Sequence, residues 1–156
     1  MAYSVLFVLS LTFAWFSGTV RDIQGAFIAN DANVLYRHFS SAASLNISLP
    51  EPFSFSDQLS SQQALFLFKQ FFSTHRTLEF DPDVRLSSLR GKKGAILKAR
   101  WSFKNARDGG QYAFRVFFYI VPESEKPRGS PARPPGFAGS AGKQSWRILE
   151  IKAENY

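Results

Sequence analysis

Two hydrophobic periods divide the chain. Val20, Ile23 and Phe27, then Val34, Leu35, His38 and Phe39, recur at helical spacing with Asn30, Asp31 and Asn33 between the sets. That spacing predicts two short helices joined at an Asn/Asp turn. Leu45, Ile47 and Leu49 alternate with Asn46 and Ser48 ahead of Pro50 and Pro52, which predicts a strand. EPFSFSDQLSS, residues 51–61, reads as a loop. In SSQQALFLFKQFFSTH, residues 60–75, Ser60 and Gln63 are spaced as a capping box, so a helix starts there. Ala64, Leu65, Phe68, Phe71 and Phe72 cover one face of it, and Phe66 and Leu67 widen the arc, so other elements must enclose it on more than one side.

From Leu78 onward the period is two. LEFDPDVRLSSLR predicts a less regular strand. In GAILKARWSFK the odd positions Ala95, Leu97, Ala99, Trp101 and Phe103 are apolar; in QYAFRVFFYIV the even positions Tyr112, Phe114, Val116, Phe118 and Ile120 are. NARDGG between them predicts a tight hairpin, and SWRILEIKAE supplies a last strand. Residues 122–144, with five prolines, four glycines and three serines and no periodicity, read as a flexible insertion in a hairpin. The order of elements predicts an α+β domain with a curved antiparallel sheet of four to five strands wrapped around N-terminal helices.

Composition sharpens this picture. The 156 residues suit one domain, placed at 20–156, and include seventeen Phe, three Trp and five Tyr, so the core is built largely of flat rings. Residues 1–20 carry no charged side chain, and the apolar run from Ala2 to Phe16 reads as a secretory h-region with small residues at Ser17, Gly18 and Thr19 for cleavage. Residues 1–19 are therefore expected to be a signal peptide. An uncleaved anchor is the alternative, because about twenty uncharged residues can span a bilayer; a folded soluble helix is the third reading. Export to the periplasm or outside follows from the first. The absence of cysteine excludes disulfides and thiolate metal sites.

The charge excess, 19 basic against 12 acidic residues, is localised. Arg85, Arg90, Lys92, Lys93, Lys98, Arg100, Lys104 and Arg107 form a run without an acid, whereas EFDPD, residues 79–83, carries three acids. Period two puts Lys98, Arg100 and Lys104 on the side opposite the core, with Arg115 beside them across the hairpin. Such a stripe suits an anionic envelope surface, at about 1 kcal/mol per charge, or is simply a solvated face. Nucleic acid is the weakest partner, since no base-stacking motif is present.

The helix, helix, strand, long helix and strands resemble the nuclear transport factor 2-like, or ketosteroid-isomerase-like, cone fold. More narrowly, IANDANVLYRHFSSAASLNISLPE, SSQQALFLFKQFFSTH, and YAFRVFFYI with WRILEIKAE resemble the small exported proteins of the domain-of-unknown-function family numbered 4783, over roughly residues 20–122 and 144–154. That likeness implies a fold and an exported location but no reaction. The wider superfamily implies that an enzyme would hold an acid or base inside the cone, and Tyr36, His38 and Tyr112 are the candidates. His75 reads instead as a helix C-cap. Phe68, Phe72, Trp101, Phe103, Phe114 and Phe118 would line the cone if it is open to a small hydrophobic ligand, and form plain core if it is not.

No metal or cofactor is expected: two histidines and no cysteine make a poor donor set, and neither a phosphate loop nor a G-x-S-x-G elbow occurs. The reading is a binding or structural module at the cell envelope, with a homodimer through the sheet as a further expectation. An isomerase- or dehydratase-like enzyme acting on a small hydrophobic substrate is the alternative.

Overall fold

Asn30 and Asp31 set the first corner of the fold. Asn30 adopts a left-handed conformation at φ 53°, a region that asparagine tolerates, and the Asp31 carboxylate accepts hydrogen bonds from the amides of Asn33 and Val34. A first helix, α1 (16–28), therefore ends here and a second, α2 (Ala32–Tyr36), begins. The computed structural model describes residues 16–88, 94–124 and 144–156. The remaining elements are β1 (Leu45–Leu49), β2 (Phe55–Leu59), α3 (Ser61–Thr74), β3 (His75–Ser88), β4 (Ala95–Asn105), β5 (Gln111–Ser124) and β6 (Gln144–Asn155).

The strands form one six-stranded sheet in the order β2-β1-β6-β5-β4-β3. All neighbours are antiparallel except β1 and β6, which run parallel. Thus the architecture is the expected α+β cone, with one more strand than expected and a mixed sheet. The added strand is β2, in the segment expected to be a loop. It pairs with β1 at the sheet edge, and only its ends, Phe55 and Leu59, are partly buried. An edge strand that touches the core at two positions has no alternation to read.

The second helix is shorter than its spacing predicts. His38 and Phe39 leave it because β6 captures them: the Ile148 amide donates to the His38 carbonyl at 2.7 Å, and the Ser40 amide donates to the Ile148 carbonyl at 3.1 Å. The capping box of α3 is present as expected, with the Ser60 hydroxyl accepting from the Gln63 amide and the Gln63 side chain accepting from the Ser60 amide. The hairpin between β4 and β5 turns through Gly109 at φ 73°, which glycine adopts without strain.

At the other edge of the sheet, α1 shields β3. The Asn30 side chain donates to the His75 carbonyl at 2.9 Å and accepts from the Thr77 amide at 3.1 Å, while Gln24 donates to the Phe80 carbonyl at 3.2 Å. Asn30 so occupies backbone groups that another strand would otherwise take. Upstream, the expected cleavage zone at Ser17–Thr19 lies within α1, where Phe16 and Thr19 are buried and Phe16 meets the Trp146 ring edge-on at 5.1 Å. Residues 1–15 of the expected export segment, residues 125–143 of the expected insertion, and Arg90, Lys92 and Lys93 of the basic run lie outside the described residues. The insertion's flanks extend a hairpin, with Glu123 opposite Ser145 and Ser124 opposite Gln144.

The core lies between the helices and the concave face of the sheet. Phe27, fully buried on α1, meets Phe68 and Phe72 of α3 at 6.0 and 5.6 Å, Phe80 of β3 at 4.5 Å, Trp101 of β4 at 5.0 Å and Phe118 of β5 at 5.7 Å. Most of these contacts are edge-to-face, which suits the ring quadrupoles. The Trp101 indole donates to the Thr77 hydroxyl at 3.0 Å, so its buried N–H is satisfied. Replacing Phe27 by alanine is expected to lower stability by about 3–5 kcal/mol, measured by urea unfolding; a loss under about 1 kcal/mol would show that the ring is not a keystone.

Candidate functional site

The six side chains expected to line a cavity are all in the core. Phe68 and Phe72 are 4% and 8% exposed, and Trp101, Phe103, Phe114 and Phe118 are 2% or less. Their rings interlock: Trp101 lies 4.3 Å from Phe103, Phe103 5.2 Å from Phe114, and Phe71 5.2 Å from both Trp101 and Phe103. At the hairpin end the turn after Pro50 delivers Phe53, whose ring meets Phe71, His75, Phe103, Tyr112 and Phe114 at 5.1–5.9 Å. Of the six, Phe72 borders a depression, a shallow one of about 450 Å³ between Asn30–Asn33 and Lys69. It opens outward at the helix corner rather than into the sheet.

The candidate acid–base groups do not converge. Tyr36 packs edge-on against Phe39. Tyr112 stacks on Phe103 at 5.4 Å and sits beside His75 and Phe53 near the β4–β5 hairpin. His75 caps α3 as expected: its amide donates to the Phe71 carbonyl, its ring stacks on Phe71 at 4.4 Å, and Nδ1 lies 2.9 Å from the Thr74 hydroxyl.

His38 instead pairs with a residue that sequence spacing did not single out. Its Nε2 lies 3.2 Å from Asp22 Oδ2 of α1. The imidazole is mostly buried and the carboxylate more than half exposed. Burial pulls the His38 pKa below its ordinary 6.5; Asp22 opposes that shift, while Arg147 of β6 and Arg37 reinforce it. Arg147 also donates to the Arg37 carbonyl, which ties the start of β6 to the end of α2. A His–Asp pair of this kind can hold or move one proton. Among the described residues no three His, Asp or Glu side chains gather as a metal site.

The outer face of the sheet is a charge mosaic. Register places Asp81, Arg100, Arg115 and Glu154 in one row across β3, β4, β5 and β6, and Asp83, Lys98, Phe117 and Lys152 in the next. The four cations singled out by the sequence thus separate: Arg100 and Arg115 are direct neighbours, Lys98 is on the same strand, and Lys104 lies beyond, opposite Arg76 and Gln111. Tyr156 lays its ring near both guanidiniums, at 5.1 Å from Arg100 and 5.6 Å from Arg115. These groups border an open depression of about 610 Å³ that also takes in Asp81, Pro82 and Lys98. A smaller one, about 260 Å³, lies over Ile96, Phe117 and Tyr119 between Glu150 and Lys152.

No family model matches the sequence, and no curated protein matches it. Solved structures do. An NTF2-like protein of unknown function in nutrient uptake from Rhodospirillum rubrum superposes with a TM-score of 0.56 at 10% identity, over 90% of this chain and 97% of that one. The fold is NTF2-like. A second NTF2-like protein of unknown function, from Shewanella baltica, gives 0.52 at 12% identity over 94% and 95% of the two chains. One from Streptomyces avermitilis, named a candidate dehydratase of the NTF2-like family, gives 0.54 at 12% identity over 92% and 95%. At such identities the likeness concerns the fold, and the narrower likeness to family 4783 rests on the quoted stretches alone.

Within this NTF2-like cone, the His38–Asp22 pair lies where α1, the end of α2 and β6 meet. Because the folded state holds His38 below 6.5, the unfolded chain binds the proton first as pH falls. The contribution is present above 6.5 and is lost as pH drops through the folded value. NMR titration is expected to place the His38 midpoint below 6.5, with Asp22→Asn lowering it further and Arg147→Gln raising it. A wild-type midpoint above 6.5 would contradict the assignment.

Proposed function

We propose that this protein is a non-catalytic binding module of the cell envelope, which meets its ligand on the outer face of the sheet and uses the interior of the cone as core. One observation carries the reading: Phe27 drives a ring from α1 between α3 and the sheet, where it meets Phe68, Phe72, Trp101 and Phe118. A substrate pocket needs volume and convergent polar groups, and that volume is occupied by side chains. The uncharged N-terminal segment supports export, as does the likeness of the quoted stretches to an exported family. Lys98, Arg100, Lys104 and Arg115 supply the cations of the outer face, which a homodimer through the sheet would also bury.

The enzyme reading has the His38–Asp22 pair in its favour, as an isomerase or dehydratase-like site for a small hydrophobic substrate. Against it, Tyr112 stands among a different set of rings, and Asp22 is more than half exposed.

Native mass spectrometry of the protein recovered from the cell envelope fraction tests the proposal. The expected result is a single unliganded mass without an apolar passenger, together with no saturable fluorescence of N-phenyl-1-naphthylamine. A co-purifying apolar molecule or saturable probe binding would overturn the filled cone, and absence from the envelope fraction would overturn the location.

A further inference from the structure

We infer that Arg100, Arg115 and Tyr156 form a receptor for one compact oxyanion, a carboxylate or phosphate group carried by a small ligand. The inference rests on the reading of the outer sheet face as the binding surface, and it names the ligand class and the place on that face.

Like charges directly opposite each other on neighbouring strands are destabilising, yet Arg100 and Arg115 are cross-strand partners. The acidic neighbours Asp81 and Glu154 at either end of the row oppose the repulsion, and so does the Tyr156 ring, within cation–π range of both guanidiniums. Tyr156 is carried there by the continuation of β6 along β5, its amide donating to the Ala113 carbonyl at 3.3 Å. A cation–π contact occupies the face of a guanidinium and leaves its N–H edge free to bind an oxyanion.

The surrounding acids are engaged only in part with the pair. Glu154, the neighbour of Arg115 in the row, lies 2.9 Å from Lys152 Nζ, and its pKa is lowered chiefly by that hydrogen bond and to a smaller extent by the charge of Arg115. Asp81 faces Arg100 in the register but is in no ion pair with it among the described residues. Two guanidiniums and Lys98 therefore border the depression beside Tyr156. An anion seated there would meet both guanidiniums at once.

The same acids decide the size of the ligand. Asp81 and Asp83 flank the cations on β3, opposite Arg100 and Lys98, and Glu154 flanks Arg115 on β6. Adjacent strands are about 4.8 Å apart, inside the roughly 8 Å Debye length at physiological salt. A bilayer or a polyanion spread over the sheet would bring its anions against these carboxylates as well as against the arginines. A single small oxyanion held between Arg100 and Arg115 meets fewer of these carboxylates than a spread surface does and so faces less of that repulsion. Lys104, outside the depression, is not part of the site.

The test is an NMR titration of the full chain with inorganic phosphate at constant ionic strength, following the Arg100 and Arg115 side-chain Nε–H and Tyr156 ring signals, with phosphatidylglycerol vesicles as a second arm. The expected result is saturable shifts confined to these three residues. Arg115→Gln and Arg100→Gln should each weaken binding about tenfold, as loss of a charge-assisted hydrogen bond does, while Lys104→Gln leaves it unchanged. Unsaturable shifts spread over all surface cations, equal binding by Arg115→Gln, or vesicle binding without phosphate binding would each overturn the site. The last of these leaves the binding-module reading standing; an apolar passenger in the cone would remove that reading without touching the phosphate result.

Discussion

The structure depends on one buried ring. Phe27 is the point at which α1, α3 and three strands of the sheet meet, and it arrives from the side opposite to Trp101 and Phe118. A curved sheet leaves a concave volume that must be filled by side chains, water or a ligand, and close packing makes an unfilled one costly. Here α1 is held at the required depth by polar contacts as well: Gln24 and Asn30 reach the backbone of β3 on either side of the Phe27 turn. The ring and the edge-covering amides therefore belong to one arrangement, since moving α1 outward would uncover both the core and the strand edge.

That constraint sorts the functional possibilities. Among the described residues the concave side is taken up largely by phenylalanine and tryptophan, and the charged groups lie at the periphery and on the outer face. The periphery carries the His38–Asp22 pair, in which burial of the imidazole favours its neutral form against the pull of Asp22. The outer face carries ordered charge, with Asp81, Arg100, Arg115 and Glu154 in one row and Asp83, Lys98, Phe117 and Lys152 in the next. Its side chains are positioned by strands rather than loops, so a small ligand would meet groups already oriented by the sheet.

Much of the frame was legible in the residues. Ser60 and Gln63 announced α3, and the parity of Trp101 and Phe103 against Phe114 and Phe118 assigned the inward faces of β4 and β5. Other features were not legible, for physical reasons. β2 touches the core only at Phe55 and Leu59. Phe27 reads as one more apolar helix position, because its partners come from α3, β3, β4 and β5 and no local spacing connects them. The basic stripe was visible and so were the acids of EFDPD, but their juxtaposition was hidden by the irregularity between Thr77 and Glu79, which resets the register so that Asp81 meets Arg100 and Asp83 meets Lys98. Phe80, inward beside Trp101, was the available signal for that parity. His38 and Asp22 lie on different elements, and Tyr156 reaches the arginine pair only through strand pairing; spacing along the chain reveals neither.

Among the described residues the cone is closed by its own side chains. Diffraction from crystals under xenon pressure tests it most directly, because xenon enters apolar cavities that water leaves empty. No xenon site bounded by Phe27, Phe68 and Trp101 is expected, with the Phe27 ring 5.0 Å from Trp101 and 6.0 Å from Phe68. Xenon density among those three rings, or a cavity there large enough for a ligand, would contradict it.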